Sequence, residues 1–368
     1  MIVEKYPPVR FQRMVEEYNL ETQPQVRHKV FNNWEVIPKG WYYLFKSAEV
    51  SKGQVKSVFV GQQKLVVFRG ESGAVKVLDS FCPHMGADLK IGTVMGDNLR
   101  CFFHHWQFDG TGQCTKIPVQ DDIPKRAKIN GYDVCEKYGA IWVYPEASAD
   151  RPLLEVPGLE GEDVIASIGS PNVSESHHHI SMINGIDPQH LATVHQLEIE
   201  MSLDVSEDGN HISFILEGDT PNGNPIEKAM RFMLGDRYSY AMKYADACFA
   251  SLTVLRNVYF LRKDWKWPEL HMFYAYRPGV DGRSYTWPIY VAKKEKGFFG
   301  AIKSRVKLWM TKRMYFFLKD EDDIIYDNIR YNPTSLLKMD GPVTRYIGYV
   351  NRLSPSQWSR KKETKRGA

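Results

Sequence analysis

No stretch of eighteen consecutive apolar residues occurs in this sequence, so no membrane-spanning helix is expected. It also lacks a G-x-G-x-x-G stretch, the fingerprint of a flavin- or nicotinamide-binding turn. The five cysteines, Cys82, Cys101, Cys114, Cys135 and Cys248, stand at irregular spacing and suggest no disulfide framework. A reducing cytoplasm is therefore the default setting. The formal net charge of +4 is too small to argue for nucleic acid as a partner. The opening residues MIVEKYPPVRFQRMVEEY contain no apolar core and no small-residue cleavage pattern, so no secretory signal is expected. Neither an internal repeat nor a low-complexity segment interrupts the chain. What remains is an ordinary globular composition, with 368 residues enough for two domains with their own cores. The 13% aromatic content fits an apolar pocket or a bulky core equally well.

Local pattern divides the chain. Residues 1–38 read as a helical or irregular lead, broken by Pro24 and Pro38. From Trp41 come short apolar runs with β-branched residues: WYYLF, VKSVFV, KLVVFRG and AVKVLDS. Their alternation predicts strands, with Gly70-Glu71-Ser72-Gly73 as a hairpin turn. AIWVY at 140–144 is a last strand before Pro145, which gives an all-β domain over 39–148. A Pro-containing, acidic linker follows. A second domain spans 149–353, with a strand expected over 172–183 and several strand-like runs between 203 and 292. Over 297–328 the period becomes helical, with Phe299, Ile302, Val306, Trp309 and Phe316 forming a stripe expected to face the core. A contact of this basic, aromatic stretch with a membrane surface is the competing reading. Residues 354–368 form a basic tail, expected to be disordered.

The first chemical signal is Cys82-Pro83-His84, then sixteen residues, then Cys101-Phe102-Phe103-His104. Two short pairs, each suited to a tight loop, can clamp one inorganic centre. Two thiolates and two imidazoles fit a [2Fe-2S] cluster with Cys₂ on one iron and His₂ on the other. They also fit a Cys₂His₂ zinc site, although structural zinc usually groups like ligands, C-x₂₋₄-C and then H-x₃₋₅-H. Here each loop carries one of each kind. Cys114 lies beyond the second loop and reads as packing.

The second signal is Asp187-x-x-His190-x₄-His195. Two imidazoles with a distant carboxylate make a facial triad for non-haem Fe(II), leaving coordination positions open. Asp187-Pro188 also reads as a helix N-cap and N1 pair. Residues five apart lie about 140° apart on a regular helix, so a π-bulge or break is expected between the two histidines. The tract His177-His178-His179 falls in the expected strand, where only alternate residues share a face, and is read as no metal site.

The mixed Cys/His loops, Trp106, and the run from Asn184 to His195 together resemble the Rieske non-haem iron oxygenase alpha subunit over nearly the whole chain. That resemblance implies an α+β protein: an N-terminal all-β Rieske [2Fe-2S] domain followed by a START-like helix-grip catalytic domain. It implies Cys82, His84, Cys101 and His104 as cluster ligands, and His190, His195 and Asp322 as ligands of a mononuclear Fe(II). Extending the apolar stripe as one straight inward-facing helix turns Asp320 and Glu321 inward and Asp322 outward, so a helix break near the acidic run is expected to reset the phase, with Asp323 as the fallback. Position 105 departs from the family, in which many members have glycine where this chain has His105. The resemblance further implies a homotrimer, with Asp187 passing electrons from one subunit's Rieske histidine to the next subunit's iron. Within one chain the two centres are too far apart for that transfer. A separate ferredoxin or flavin reductase would supply the electrons, with O₂ as co-substrate. The implied reaction is monooxygenation of a hydrophobic ring-containing small molecule. Segments near the cluster are also similar to arylamine N-oxygenases and to sterol and ketosteroid Rieske oxygenases, so N-oxygenation and desaturation stay open. A Rieske electron-transfer protein without oxygenase activity is the alternative of a different class.

Overall fold

The computed structural model describes residues 29–194, 201–219, 237–256 and 268–360, with isolated positions between 223 and 266. The chain forms two units, each assembled from separate segments.

One unit comprises residues 34–154, 276–283 and 354 onward. Its strands are β1 (Tyr42–Lys46), β2 (Val55–Val60), β3 (Gln63–Arg69), β4 (Val75–Asp79), β5 (Thr93–Met95), β6 (Asn98–Arg100), β7 (Gln107–Phe108), β8 (Cys114–Lys116), β9 (Gly131–Lys137) and β10 (Ala140–Tyr144). They make a six-stranded sheet ordered β1-β10-β9-β4-β3-β2 and a four-stranded sheet β5-β6-β7-β8, all antiparallel. The runs of Val, Ile and aromatic residues explain the strands, because branched side chains pack well on a pleated surface. Val66, Phe68, Leu78, Leu89, Leu99 and Phe108 form a buried core beneath the smaller sheet. Gly112 is required where it stands: its φ is +84°, and a Cβ there would lie 2.1 Å from the Ile129 carbonyl oxygen.

Residues 354–360 belong to this unit's packing. Trp358 is buried against Tyr42 and Tyr132, with ring centroids 5.9 and 5.1 Å away. Backbone hydrogen bonds join Lys39 to Ser354, Ser356 to Ile37 and Arg360 to Glu35. The basic tail drawn from 354 therefore begins with an ordered, packed segment. Residues 361–368 lie outside the described residues.

The other unit contains β11 (Val164–Ile168), β12 (Asn172–Ser174), β13 (Met201–Asp208), β14 (His211–Asp219), β15 (Arg237–Ala245), β16 (Phe249–Val254), β17 (Leu270–Pro278, whose last residues count with the first unit) and β18 (Ser284–Lys293). Seven of them run β11-β18-β17-β16-β15-β14-β13, and β12 also pairs with β18. A 32-residue helix, Gly297–Asn328, packs on β18, β11 and β12, and a last helix spans Gly341–Arg352. The segment 172–183 is not one strand. β12 ends at Ser174, and α1 (His178–Asn184) begins four residues later with His177 as its N-cap. The Nδ1 of His177 accepts from the His179 amide, a local bond that starts a helix where three stiff rings suggested extension.

The long helix also faces opposite to the expected way. Ser304, Thr311 and Tyr315 are buried, with Leu308 partly so, whereas Phe299, Ile302, Val306 and Trp309 are exposed. These four residues of the stripe that set the sequence reading lie on the outer face, while the side chain of Phe316 lies outside the described residues.

Candidate metal centres

In the β-rich unit, two loops present the Cys/His pairs. The first follows β4, and the second joins β6 to β7. They repeat one conformation. The Cys82 amide donates to the Ala87 carbonyl at 2.9 Å, and the Gly86 amide donates back to the Cys82 carbonyl at 2.9 Å. The Cys101 amide donates to the Trp106 carbonyl at 2.8 Å, and the His105 amide donates back to the Cys101 carbonyl at 3.1 Å. Gly86 and His105, each four residues after its cysteine, both take left-handed backbone, with φ of +76° and +58°. This geometry is the physical reason glycine suits position 105. Asp88 ties the first loop down by accepting from the Ser80 hydroxyl, the Lys64 ammonium and the Lys90 amide. Burial works to raise the Asp88 carboxyl, but these bonds outweigh it and hold the group below the usual carboxylate range.

The loops bring all four expected cluster residues together as two like pairs. Cys82 and Cys101 are buried. His84 and His104 are exposed, with Nδ1 atoms 3.1 Å apart. Trp106 stacks on His84 at 4.6 Å and Phe103 lies against His104 at 3.8 Å, which fixes both rings. A single tetrahedral zinc would draw its ligand atoms to within about 4 Å of one another. Among the described residues, only His177, His178 and His179 form a group of three or more with all ligand atoms within 4.8 Å. Two separated pairs instead suit a centre with two metal atoms, thiolates on the inner one and imidazoles on the outer. Burial raises the Cys82 thiol to about 11, with the neighbouring Cys101 adding to the rise, so a thiolate there calls for a bound cation. Cys114 is buried in the same core, and its thiol donates to the Lys116 carbonyl at 3.6 Å, consistent with packing.

In the other unit, α1 delivers Asn184, α2 (Pro188–Thr193) delivers His190, and the long helix delivers Asp322. His190 is buried, and its Nε2 lies 3.1 Å from Asp322 Oδ1 and 3.0 Å from Asn184 Nδ2. The outward stripe explains Asp322. It lies eighteen residues, five full turns, after Ser304, and so falls on the buried face of a straight helix. No break is needed. The side chain of Asp323 lies outside the described residues. So does His195, while α2 ends at Thr193, short of it.

Asp187 caps α2, its Oδ1 accepting from the Gln189 amide at 2.9 Å and the His190 amide at 3.4 Å. Burial pushes its carboxyl above the ordinary range despite these bonds. Three tyrosines steady the segment. Tyr244 donates to the Met182 carbonyl at 2.8 Å, Tyr240 to the Gly185 carbonyl at 3.0 Å, and Tyr346 to the Met182 sulfur at 3.0 Å. Gln189 reaches Asp340 at 2.7 Å. None of these supports was legible in the sequence, because each partner stands more than fifty residues away.

His177, His178 and His179 form a buried cluster at the start of α1. Their hydrogen bonds fix tautomers. His178 Nε2 donates to the Ala247 carbonyl at 3.0 Å, so its proton is on Nε2. His179 Nδ1 accepts from the Asn32 amide at 3.0 Å, so its proton is also on Nε2 and that nitrogen offers no lone pair. The cluster is thus arranged as neutral, interlocked rings rather than as a three-nitrogen metal site.

Residues 40–128 match the family model for the Rieske [2Fe-2S] domain. Cholesterol 7-desaturase nvd of Bombyx mori is 37% identical over 161 residues, 43% of this chain and 35% of that protein. The oxygenase component of a 3-ketosteroid-9-alpha-monooxygenase of Rhodococcus rhodochrous is 36% identical over 124 residues, 33% of this chain and 32% of that protein. The chain therefore spans about a third of these relatives' length. Among solved structures, dicamba monooxygenase bound to dicamba superposes with a TM-score of 0.62 at 18% identity, covering 86% of this chain and 97% of that one. The chain thus carries a Rieske [2Fe-2S] domain, and its fold is that of the Rieske oxygenases, a β domain followed by a mixed α/β domain.

Proposed function

We propose that the chain is the oxygenase component of a Rieske-type system, monooxygenating a hydrophobic ring-containing small molecule. The observation that carries this reading is the meeting of His190 with Asp322 at 3.1 Å, in a chain that also has a Rieske domain. Cys82 and Cys101 would hold the inner iron of the cluster, and His84 and His104 the outer one. His190, His195 and Asp322 would hold the mononuclear Fe(II). Bound there, that iron supplies O₂ activation, fed with electrons that reach the cluster from a ferredoxin or flavin reductase. The chain's own part is placement. Asn184 hydrogen-bonds at His190 Nε2, Asp187 fixes the start of α2, and the tyrosine clamps hold α1. The relatives named for ketosteroid and cholesterol support a lipophilic, polycyclic substrate. Desaturation at the same site is the second reading, favoured by the name of the Bombyx mori relative.

We assign Asp187 a further role in a cytoplasmic homotrimer, bridging His104 of one subunit to His190 of the next. Exposure of His104, with exposed Phe103 against it and Phe81, Met85 and Phe102 exposed on the same two loops, supports a partner seated over the cluster.

The test is iron content with electron paramagnetic resonance after anaerobic purification. About three irons per chain fit the oxygenase, and about two fit a pure electron carrier. His190→Ala and Asp322→Ala should each remove one iron and all product labelled from ¹⁸O₂, and spare the cluster signal. Asp323→Ala should keep both. Asp187→Asn keeps a capping side chain but not the charge, so it should retain both metals and lose most turnover. Full turnover in that variant refutes the bridge.

A further inference from the structure

We propose that the first half of the long helix is a docking face for an anionic phospholipid surface. Phe298 and Phe299 are 77% and 83% exposed, and Trp309 is 60% exposed. Ile302 and Val306 complete the row. At about 100° per residue these five side chains fall within an arc of roughly 100°, opposite buried Ser304 and Thr311. The row runs along the helix for about 17 Å. A contiguous apolar face of this size on a folded protein marks an interaction site, whereas scattered exposed residues do not.

The charge around the row identifies the occupant. Residues 296–319 contain seven Lys or Arg and no Asp or Glu. Arg305 and Lys312 border the apolar row on one side and Lys303 on the other, and Arg313 sits over the Trp309 ring at 5.7 Å. Glu295 meets Lys303 at 3.3 Å and Lys307 at 3.7 Å and offsets part of this charge, but the seven cations of 296–319 leave the segment cationic as a whole. An apolar face bordered by cations matches the headgroup boundary of an anionic bilayer. The rings enter the acyl edge, and the Lys and Arg stems reach back to the phosphates. A second copy of the same face is the poorer partner, because pairing would set like-charged edges against each other. No described helix is long and apolar enough to cross a membrane, so the contact lies on the surface. The proposal does not depend on the reaction catalysed.

The experiment is co-sedimentation of the full-length holoprotein with vesicles of phosphatidylcholine alone or of an equimolar mixture with phosphatidylglycerol. The wild type should sediment with the anionic vesicles at low salt, release in high salt, and ignore the neutral ones. The exposed triple change Phe298→Ser, Phe299→Ser, Trp309→Ser should weaken binding at least about tenfold with an unchanged circular dichroism spectrum. Arg305→Glu with Lys312→Glu should weaken it comparably. Absence of binding to anionic vesicles overturns the proposal. So does triple-variant binding equal to wild type, which would move the contact to the basic C-terminus. A triple variant that changes the association state in sedimentation velocity makes the row an interface between copies and equally overturns it.

Discussion

His105 occupies a backbone position that glycine fills in the companion loop. The two loops match hydrogen bond for hydrogen bond, so the cost of the imidazole can be isolated. Left-handed backbone costs a side chain with a Cβ about 1–2 kcal/mol, and the extra freedom of glycine in the unfolded chain returns about half of that. His105→Gly should therefore raise the thermal midpoint slightly and leave the cluster absorbance unchanged. Gly112→Ala tests the converse, since its Cβ would strike the Ile129 carbonyl. That change should cost about 3 kcal/mol or more in denaturant unfolding. The two Cys/His pairs were legible because spacing alone sets Cys82 beside His84 and Cys101 beside His104. The left-handed turn beneath His105 was not, because only glycine advertises such a turn in a sequence.

At the scale of elements, the long helix was legible as a helix and misread as to its facing. Its buried side is partly polar, with Ser304 donating to the Lys293 and Gly300 carbonyls and Thr311 to the Lys307 carbonyl. Hydroxyls satisfied by neighbouring carbonyls can be buried at little cost, so periodicity of large apolar residues pointed to the wrong face. Turning the helix over is what carries Asp322 to His190 without a break. The start of α1 was hidden for a related reason. A histidine cap and three packed rings have no common helix signature. Burial holds His177, His178 and His179 neutral, His178 down to about 4. Their folded values lie below the ordinary value near 6.5, so the unfolded chain binds more protons as pH falls from about 6.5 to 4. Stability is complete above that window and declines through it, with His178 alone contributing a loss on the order of 3 kcal/mol at pH 4. Thermal melts across this range should show the decline. His178→Gln, which keeps a donor for Ala247, should shallow it.

For the whole molecule, order along the chain and order in space part company. The sequence divides at a linker near residue 149, and both fold classes follow from the patterns on either side. The exchange of segments does not, since 276–283 and 354–360 join the β-rich unit from far along the chain. Long-range pairing of that kind leaves no periodic trace. Its energetic weight is readable in Trp358, wedged against Tyr42 and Tyr132. Trp358→Ala should destabilise the β-rich unit by about 3–5 kcal/mol, measured as earlier loss of the visible cluster absorbance on heating. The same wedge has a consequence for biosynthesis. A ribosome extrudes the cysteine loops some 250 residues before it releases Trp358. The nascent β-rich unit therefore lacks its closing side chain through the synthesis of the whole second unit, and reaches its finished packing only once Trp358 has emerged.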